Sequence, residues 1–275
     1  MAKAILITGC SSGIGAHAAR ALHRSGWRVF ATCRAEADAA RLRDAGLEGL
    51  RLDYADPDSI RAAVDEILSR SGGRLDALFN NGAWALPGPL EDVPTDGLRA
   101  LFEANFFGWH DLTRQVLPAM RARGGGRIVM CSSVLGFAPA KWRGAYVASK
   151  FALEGYSDVL RLEMRDLGIH VSLIQPGPIR TDFRKNAIAQ FERWIAWRNS
   201  ARAAQYSDSL LDQLYRGSGE SRFELPPEAI MPALRHALDA RRPRARYRVT
   251  TPTRVLAQVQ GLLPAPVLER LYDRV

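Results

Sequence analysis

The chain has 275 residues, 47% hydrophobic and 24% charged, which is enough to build a core and sets aside the disordered and fibrous classes. Three cysteines with no CxxC pair and five scattered histidines argue against a disulfide framework and against any metal site, and they fit a reducing, cytoplasmic setting. The opening apolar run is too short for a secretory leader, and no stretch approaches the ~18 apolar residues of a membrane span.

Net charge is +9, from 38 Lys+Arg against 29 Asp+Glu. That balance raises nucleic acid or an anionic membrane as a partner. The arginines mostly alternate with acids along helical faces, so the charge reads as a solvated surface and no nucleic acid is expected.

The first 175 residues alternate strand-like and helix-like stretches. KAILIT (3–8) is a strand that runs into glycine-rich sequence, and 12–26 has helical spacing ending at Gly26. WRVFATC (27–33) is the next strand, followed by a helix over about 36–45. GLRLDY (49–54) is a third strand, and Pro57 opens an amphipathic helix over 57–71. LDALFNN (75–81) is a fourth strand. A long helix over about 95–123 leads to GRIVMCSS (126–133), a fifth. A helix over roughly 143–167 precedes IHVSLIQPG (169–177), a sixth. This order predicts an α/β fold with right-handed βαβ crossovers and a parallel, doubly wound sheet.

After Pro176-Gly177 the alternation fails. Residues 180–222 are helical in composition and rich in aromatics, among them Phe183, Phe191, Trp194, Trp197 and Tyr206. A helix over 225–240 and a seventh strand over 245–250 follow. The tail 252–275 predicts one or two short amphipathic helices. No linker cuts the chain, so a single domain over 1–275 is expected, with 180–222 as a helical substrate lid and 252–275 as a tail.

TGCSSGIG (8–15) joins the first strand to the first helix. Gly9, Gly13 and Gly15 let the backbone approach a ligand, and the helix N-terminus beside them attracts a pyrophosphate. Ser11, Ser12 and Ile14 complete that loop. Far along the chain, AYVASK (145–150) sets Tyr146 four residues before Lys150, on one helix face. Chance supplies roughly 0.1 such pairs in a chain with so few lysines, which makes the pair a candidate and no more.

Together the two motifs resemble those of the short-chain dehydrogenase/reductase family, whose patterns are T-G-x-x-x-G-x-G and Y-x-x-x-K. The resemblance covers about residues 3–181 and implies a Rossmann-type sheet of about seven strands. Asp53 looks like the family's adenine-contacting acid. Asn81 and Gly82 lie in N-N-G-A, similar to the family's N-N-A-G with its last two residues exchanged. Asn105 matches the family's helical asparagine, and Ser133 lies at the usual offset, 13 residues before Tyr146. Pro176-Gly177-Pro178-Ile179-Arg180-Thr181 fits P-G-x-x-x-T, which implies cofactor contacts from Pro176, Gly177, Ile179 and Thr181. Each residue also has a plain structural use: Asn81 in a turn, Asn105 as a buried helix polar group, Ser133 as a strand-end cap, Thr181 as a helix N-cap.

A tyrosine near pKa 10 is a poor base at neutral pH. An ammonium ~5 Å away contributes roughly 3 kcal/mol at an effective dielectric of ~20, which would lower the phenol by about two units. Tyr146 then acts as the acid–base and also contacts the cofactor, as does Lys150 through ribose hydroxyls. Ser133 polarises the substrate oxygen. The resemblance implies that Asn105 holds a relay water. At the end of the second strand, Cys33 stands where an NAD enzyme places a carboxylate, and Arg34 can pair with a 2′-phosphate, with Ser12 nearby. NADP(H) is therefore favoured over NAD(H), with Glu36 a competing partner for Arg34.

Leu135, Trp142 and Phe183 are the candidate substrate contacts, in a site suited to a lipophilic alcohol or ketone. The motifs and the long C-terminal portion resemble the branch with 17β-hydroxysteroid and retinol dehydrogenases. The family usually pairs through the helices around 95–123 and 143–167, so a homodimer or homotetramer is implied. RRPRARYR (241–248) and the apolar helices after it allow weak contact with an anionic membrane surface. The competing readings are a non-catalytic nicotinamide-sensing protein of the same fold and a lyase or epimerase that uses the same residues.

Overall fold

The computed structural model describes residues 2–216 and 223–272. Seven strands form one parallel sheet in the order β3-β2-β1-β4-β5-β6-β7. They are β1 (Ala4–Ile7), β2 (Arg28–Cys33), β3 (Glu48–Arg51), β4 (Ala77–Asn80), β5 (Gly126–Cys131), β6 (Ile169–Gln175) and β7 (Arg246–Arg248). Strands such as AILI of β1 and ALFN of β4 are buried along their whole length, as expected of a parallel sheet covered on both faces.

The helices that cover the sheet before β6 are α1 (Gly13–Arg24), α2 (Glu36–Asp44), α3 (Pro57–Ser71), α4 (Thr95–Phe102), α5 (Gly108–Ala122) and α6 (Gly144–Glu163). α3 shows why the local sequence folds this way. Asp56 caps it by accepting from the Ser59 amide, Pro57 fills the first position, and Gly72 closes it at φ 63. The strand order reverses between β1 and β4, so their C-terminal ends open a crevice, the usual ligand position in such sheets.

Several boundaries differ from expectation, β3 ending at Arg51 among them, and four changes shape the fold. The helix expected over 95–123 is broken by a π-helical turn, Glu103–Phe107, between α4 and α5. Asn105 in that turn bonds both the N–H and the C=O of Trp84, and Gly108 packs so closely that a Cβ there would lie 2.3 Å from the Tyr54 carbonyl oxygen. These two contacts pull the chain out of α register, as inserted partners commonly do. α6 stops at Glu163. β7 keeps three residues of the expected six. The helix expected over 225–240 starts as a 3₁₀ turn, Pro227–Ile230, before the helix Met231–Asp239.

Beyond β6 lie α7 (Phe183–Trp194), the one-turn α8 (Ala203–Gln205), and two π turns, Tyr206–Leu210 and Asp212–Arg216. The last six residues expected in the lid, 217–222, lie outside the described residues. α9 (Met231–Asp239) precedes β7, and α10 (Thr251–Val259) and α11 (Ala265–Tyr272) form the tail. Residues 273–275 are likewise outside the described set.

Two main apolar clusters result. One runs through the sheet, with Ile5, Leu6, Phe79, Ile128 and Leu173 at its centre. The other joins the lid to α4 and α6 through Leu86, Leu101, Phe191, Tyr206 and Leu214. Phe191 and Trp197 each stack on Tyr206 with ring centres 6.0 Å apart. Phe191, Trp194, Trp197 and Tyr206 are thus part of the lid's own core.

Candidate active site

The glycine loop meets two other segments at the crevice. Gly9 sits at φ 65, and a Cβ there would come 2.7 Å from Gly82 Cα. A Cβ on Gly15 would come 2.3 Å from the Gly9 oxygen and 2.7 Å from Asn81 Nδ2, and one on Gly13 2.9 Å from Thr181 Cγ2. Three sequence segments, spread between residues 9 and 181, therefore close on one cradle that only glycine permits. α1 has no acid in its first turn, and Ser12 caps it with no side-chain bond, so the helix N-terminus faces the loop with its dipole uncompensated. The cradle fits a dinucleotide pyrophosphate.

The turn after β4 is well held despite its exchanged residues. Asn81 N donates to Thr8 Oγ1 at 2.9 Å, and its Nδ2 donates to the Thr8 oxygen at 3.1 Å. Trp109 Nε1 donates to the Gly82 oxygen at 3.0 Å. Thr8 also bonds Tyr54, whose hydroxyl donates to Asn80 Oδ1, so a buried chain of hydroxyls ties β1, β3 and β4 together.

Tyr146 and Ser133 lie together where β5 meets α6. Tyr146 is 7% exposed and packs with Leu135 and Phe183, whose ring meets the phenol edge-on at 5.4 Å. Ser133 lies close enough to the phenol to favour its ionised form, and its Oγ accepts from Leu135 N at 3.1 Å as a strand-end cap. Lys150, 1% exposed, donates from Nζ to the Cys131 oxygen at 2.8 Å and lies 4.4 Å over the Trp109 ring and 5.6 Å over the Tyr146 ring.

Here one expectation is corrected. Lys150 does not lower the phenol in this structure. Burial dominates and pushes Tyr146 well above its ordinary value, Cys131 adds to the rise, and only Ser133 opposes it. The ammonium is turned to the Cys131 carbonyl, and burial depresses Lys150 itself to about 8, with Cys131 and Glu154 pulling upward.

Asn105 is fully buried. Its Nδ2 donates to the Trp84 oxygen at 2.8 Å and to Ser149 Oγ at 3.3 Å, while Oδ1 accepts from Trp84 N. Both amide hydrogens are thus taken. Ser149 in turn donates to the Tyr146 oxygen at 2.8 Å, so Asn105 braces α6 between the tyrosine and the lysine.

The remaining candidates divide. Cys10 N donates to the Thr32 oxygen, which brings the glycine loop to the end of β2, where Arg34 is exposed and has no ion pair among the described residues. Glu36, the expected competitor, is paired with Arg43 at 2.6 Å. Asp53 keeps one carboxylate oxygen on the Ala55 amide at 3.0 Å. The Pro176 oxygen accepts from Val134 N, Ile179 bridges to Leu225, and Thr181 Oγ1 accepts from Phe183 N, although the N-cap position of α7 is Asp182 and not Thr181. Gly177 is a packing glycine: a Cβ there would lie 2.2 Å from Thr250 Oγ1 and 2.7 Å from Thr253 Oγ1. Trp142, the residue two before α6, has φ 63 and packs on the lid cluster.

Two site residues carried no motif. Glu154, four residues after Lys150 on α6 and 7% exposed, accepts from Gln175 Nε2 and Arg246 Nε, both at 2.9 Å. Trp109, four after Asn105, links the Gly82 turn to the lysine. The i,i+4 spacing from a known site residue was the available signal for both.

Known proteins match this arrangement. A model of the short chain dehydrogenase family matches residues 3–191. The chain is 42% identical to the uncharacterized oxidoreductase YbbO of Escherichia coli strain K12, over 99% of this chain and 95% of that one. It is 32% identical to human 17-beta-hydroxysteroid dehydrogenase type 1, over 90% and 77%. Among solved structures, a Burkholderia phymatum short chain dehydrogenase/reductase in complex with NAD superposes with a TM-score of 0.77 at 25% identity, over 94% and 92%. Actinorhodin polyketide ketoreductase with NADPH gives 0.71 at 27%, over 90% and 95%. With its sheet order, glycine cradle and Tyr146–Lys150 pair all in place, the chain belongs to the short-chain dehydrogenase/reductase family of oxidoreductases.

Proposed function

We propose that this oxidoreductase interconverts an alcohol with a ketone or aldehyde on a lipophilic substrate, using NADP(H) in preference to NAD(H). The observation that carries the reading is Tyr146 with Ser133 on one side and Lys150 beneath it, beside the glycine cradle. A nicotinamide dinucleotide supplies the hydride donor or acceptor for the reacting carbon. Gly9, Gly13, Gly15 and the α1 N-terminus would hold its pyrophosphate, and Lys150 its ribose hydroxyls. Arg34, exposed and without an ion pair among the described residues, supports a 2′-phosphate there.

The protein's own part is a proton. The phenol is protonated near neutral pH, the form that donates to the oxygen of a carbonyl under reduction. Ser133 is placed to hydrogen-bond the same oxygen. Lys150 is mostly an ammonium at pH 7, the form that donates to ribose hydroxyls of the cofactor. Leu135 and Phe183 pack on Tyr146 and make the reacting end of the cleft apolar. A screen of NADPH oxidation across steroid, retinoid and aliphatic carbonyls tests the reading. Turnover with one class that disappears in Tyr146→Phe is expected; lyase or epimerase products without net NADPH consumption would overturn it.

Two surfaces bear on partners and location. Phe107, Phe151, Val159 and Leu162 are exposed on the turn before α5 and on α6, which supports a homodimer through these helices. In the tail, Val255, Leu262 and Val267 are exposed near Arg248 and Arg254, which supports weak contact with an anionic surface. Among the described residues no helix is long and apolar enough to cross a membrane. Sedimentation velocity tests the first surface and liposome co-sedimentation the second, with a cytoplasmic location expected.

A further inference from the structure

Several arginines of this chain find a carboxylate: Arg28 with Glu48, Arg43 with Glu36, Arg51 with Asp56, Arg246 with Glu154. Arg143 does not. It stands immediately before α6, three residues ahead of Tyr146, and is half-buried. Among the described residues it has no ion pair, and the one hydrogen bond of its guanidinium is a long one, Nη1 to the Trp142 oxygen at 3.4 Å. Its charged neighbour is another cation, Arg184, in the first turn of α7. Arg184 directly follows Phe183, whose ring meets Tyr146.

A half-buried cation beside a like charge is unfavourable unless something negative joins it. Burial is the main influence that lowers the Arg143 pKa, and Arg184 lowers it further. The chain has 29 acids and sets only Asp182 near this place in sequence; Asp182 is exposed and makes no ion pair among the described residues. Arg180 and Lys185, on the same segment, also lack an acidic partner among the described residues. The loop that presents Arg143 is held under strain. Trp142 adopts a left-handed φ of 63 that a bulky residue rarely takes, and the Gly88 amide fixes its carbonyl at 2.9 Å.

We propose that Arg143 and Arg184 form a subsite for an anionic group, a carboxylate or a phosphate, on a substrate that is otherwise apolar. The two arginines lie on the two elements that flank the reacting phenol, and Leu135, Phe183, Ala85 and Ala187 supply the apolar surface around Tyr146. A planar fork suits either oxyanion, so the shared chemistry is a compact anion close to the reacting carbon. The inference rests on Tyr146 being the reacting group and narrows the substrate from lipophilic to amphipathic.

The test is equilibrium dialysis of octanoate, octyl phosphate and octanol against the full chain at low salt, with NADPH saturating so that the glycine cradle is filled. At least one anion binds about tenfold more tightly than octanol, and Arg143→Gln and Arg184→Gln each remove most of that preference while octanol binding is unchanged. Preference for octanoate alone assigns a carboxylate; for octyl phosphate alone, a phosphate. Equal affinity for the anions and octanol in the wild type, or a preference that survives both substitutions, overturns the subsite. Arg184 is exposed, so its variant keeps the test valid where Arg143→Gln fails to fold, and Arg143→Lys gives a second check on the buried position. Turnover is scored separately. Reduction of neutral carbonyls with no anion preference overturns the subsite and leaves the reaction standing. An arginine-dependent preference with no carbonyl reduced does the reverse.

Discussion

The two halves of this site are built from different materials. Around β1 and β4 the cradle is backbone: three glycines, a helix N-terminus and an asparagine that braces the loop. Around β5 and α6 the work falls to side chains that are buried and polar: Tyr146, Lys150, Asn105 and Glu154. A backbone cradle tolerates nothing larger than hydrogen at a few positions and leaves its surroundings nearly free. A side-chain site carries buried charge, and its cost is distributed over the network that holds it.

The largest expected effect lies in the side-chain half. Tyr146→Phe removes one oxygen from a packed ring that already contacts Phe183 and Leu135, so the fold is retained. Carbonyl reduction should fall by about 10³-fold or more, the range for losing a positioned acid. NADPH affinity, read by fluorescence titration, should not change. A variant within tenfold of wild type would return the proton to some other group.

Two glycine substitutions separate cradle from packing. Gly15→Ala would drive a methyl into the Gly9 oxygen and Asn81, both parts of the cradle, so NADPH binding should be lost along with some stability. Gly177→Ala meets Thr250 and Thr253 at the start of α10, which costs roughly 1–3 kcal/mol as overpacking and should leave NADPH affinity intact. Denaturant melts beside cofactor titrations decide this. Equal losses of affinity in both variants would restore Gly177 to the cofactor site.

The same contrast explains how much could be read in advance. The glycine loop and the Tyr146–Lys150 pair were legible because each depends on a local conformation, a tight turn or one helix face. The parallel sheet was legible because its strands are apolar throughout and set between amphipathic helices. The π turn at Asn105 was not, because it forms against Trp84 and Tyr54, some 20 and 50 residues away. The direction of the Tyr146 shift was missed for a related reason. Helical spacing gave the proximity of Lys150, but burial and the Cys131 carbonyl, set by the sheet, outweigh it.

Lys150→Met sharpens the cost of the side-chain half. A buried lysine held at about 8 against an ordinary 10.5 disfavours the folded state at pH 7 by roughly 3 kcal/mol, an upper figure for the gain on replacement. The sign follows from the protons. Between about pH 8 and 10.5 the unfolded chain holds the lysine proton that the folded chain has released, so wild-type stability rises with pH in that window. Lys150→Met should therefore melt several degrees higher at pH 7, be inactive, and lose its advantage as pH passes from 8 to 10.5. A variant less stable than wild type at pH 7 would mean that the Cys131 bond and the Trp109 ring more than offset the burial.

The smallest effect belongs to the rim of the backbone half. Arg34 follows β2, is exposed, and lies outside every ion pair among the described residues, while its neighbour Glu36 is held by Arg43. An exposed arginine contributes little to stability, so Arg34→Ala should melt within a degree or two of wild type. A charge-assisted, bidentate contact with a 2′-phosphate is stronger than its surface position suggests, because the partner carries about two charges. Its loss should raise the dissociation constant for NADPH about tenfold, equivalent to ~1.4 kcal/mol, and leave that for NADH unchanged. The ratio of the two constants is the informative quantity, since any general damage to the cradle moves both. Parallel weakening of both cofactors would assign Arg34 to the loop's structure. No change in either would leave Ser12 and the loop backbone as the groups that face the ribose, and the cradle would then be backbone to its edge.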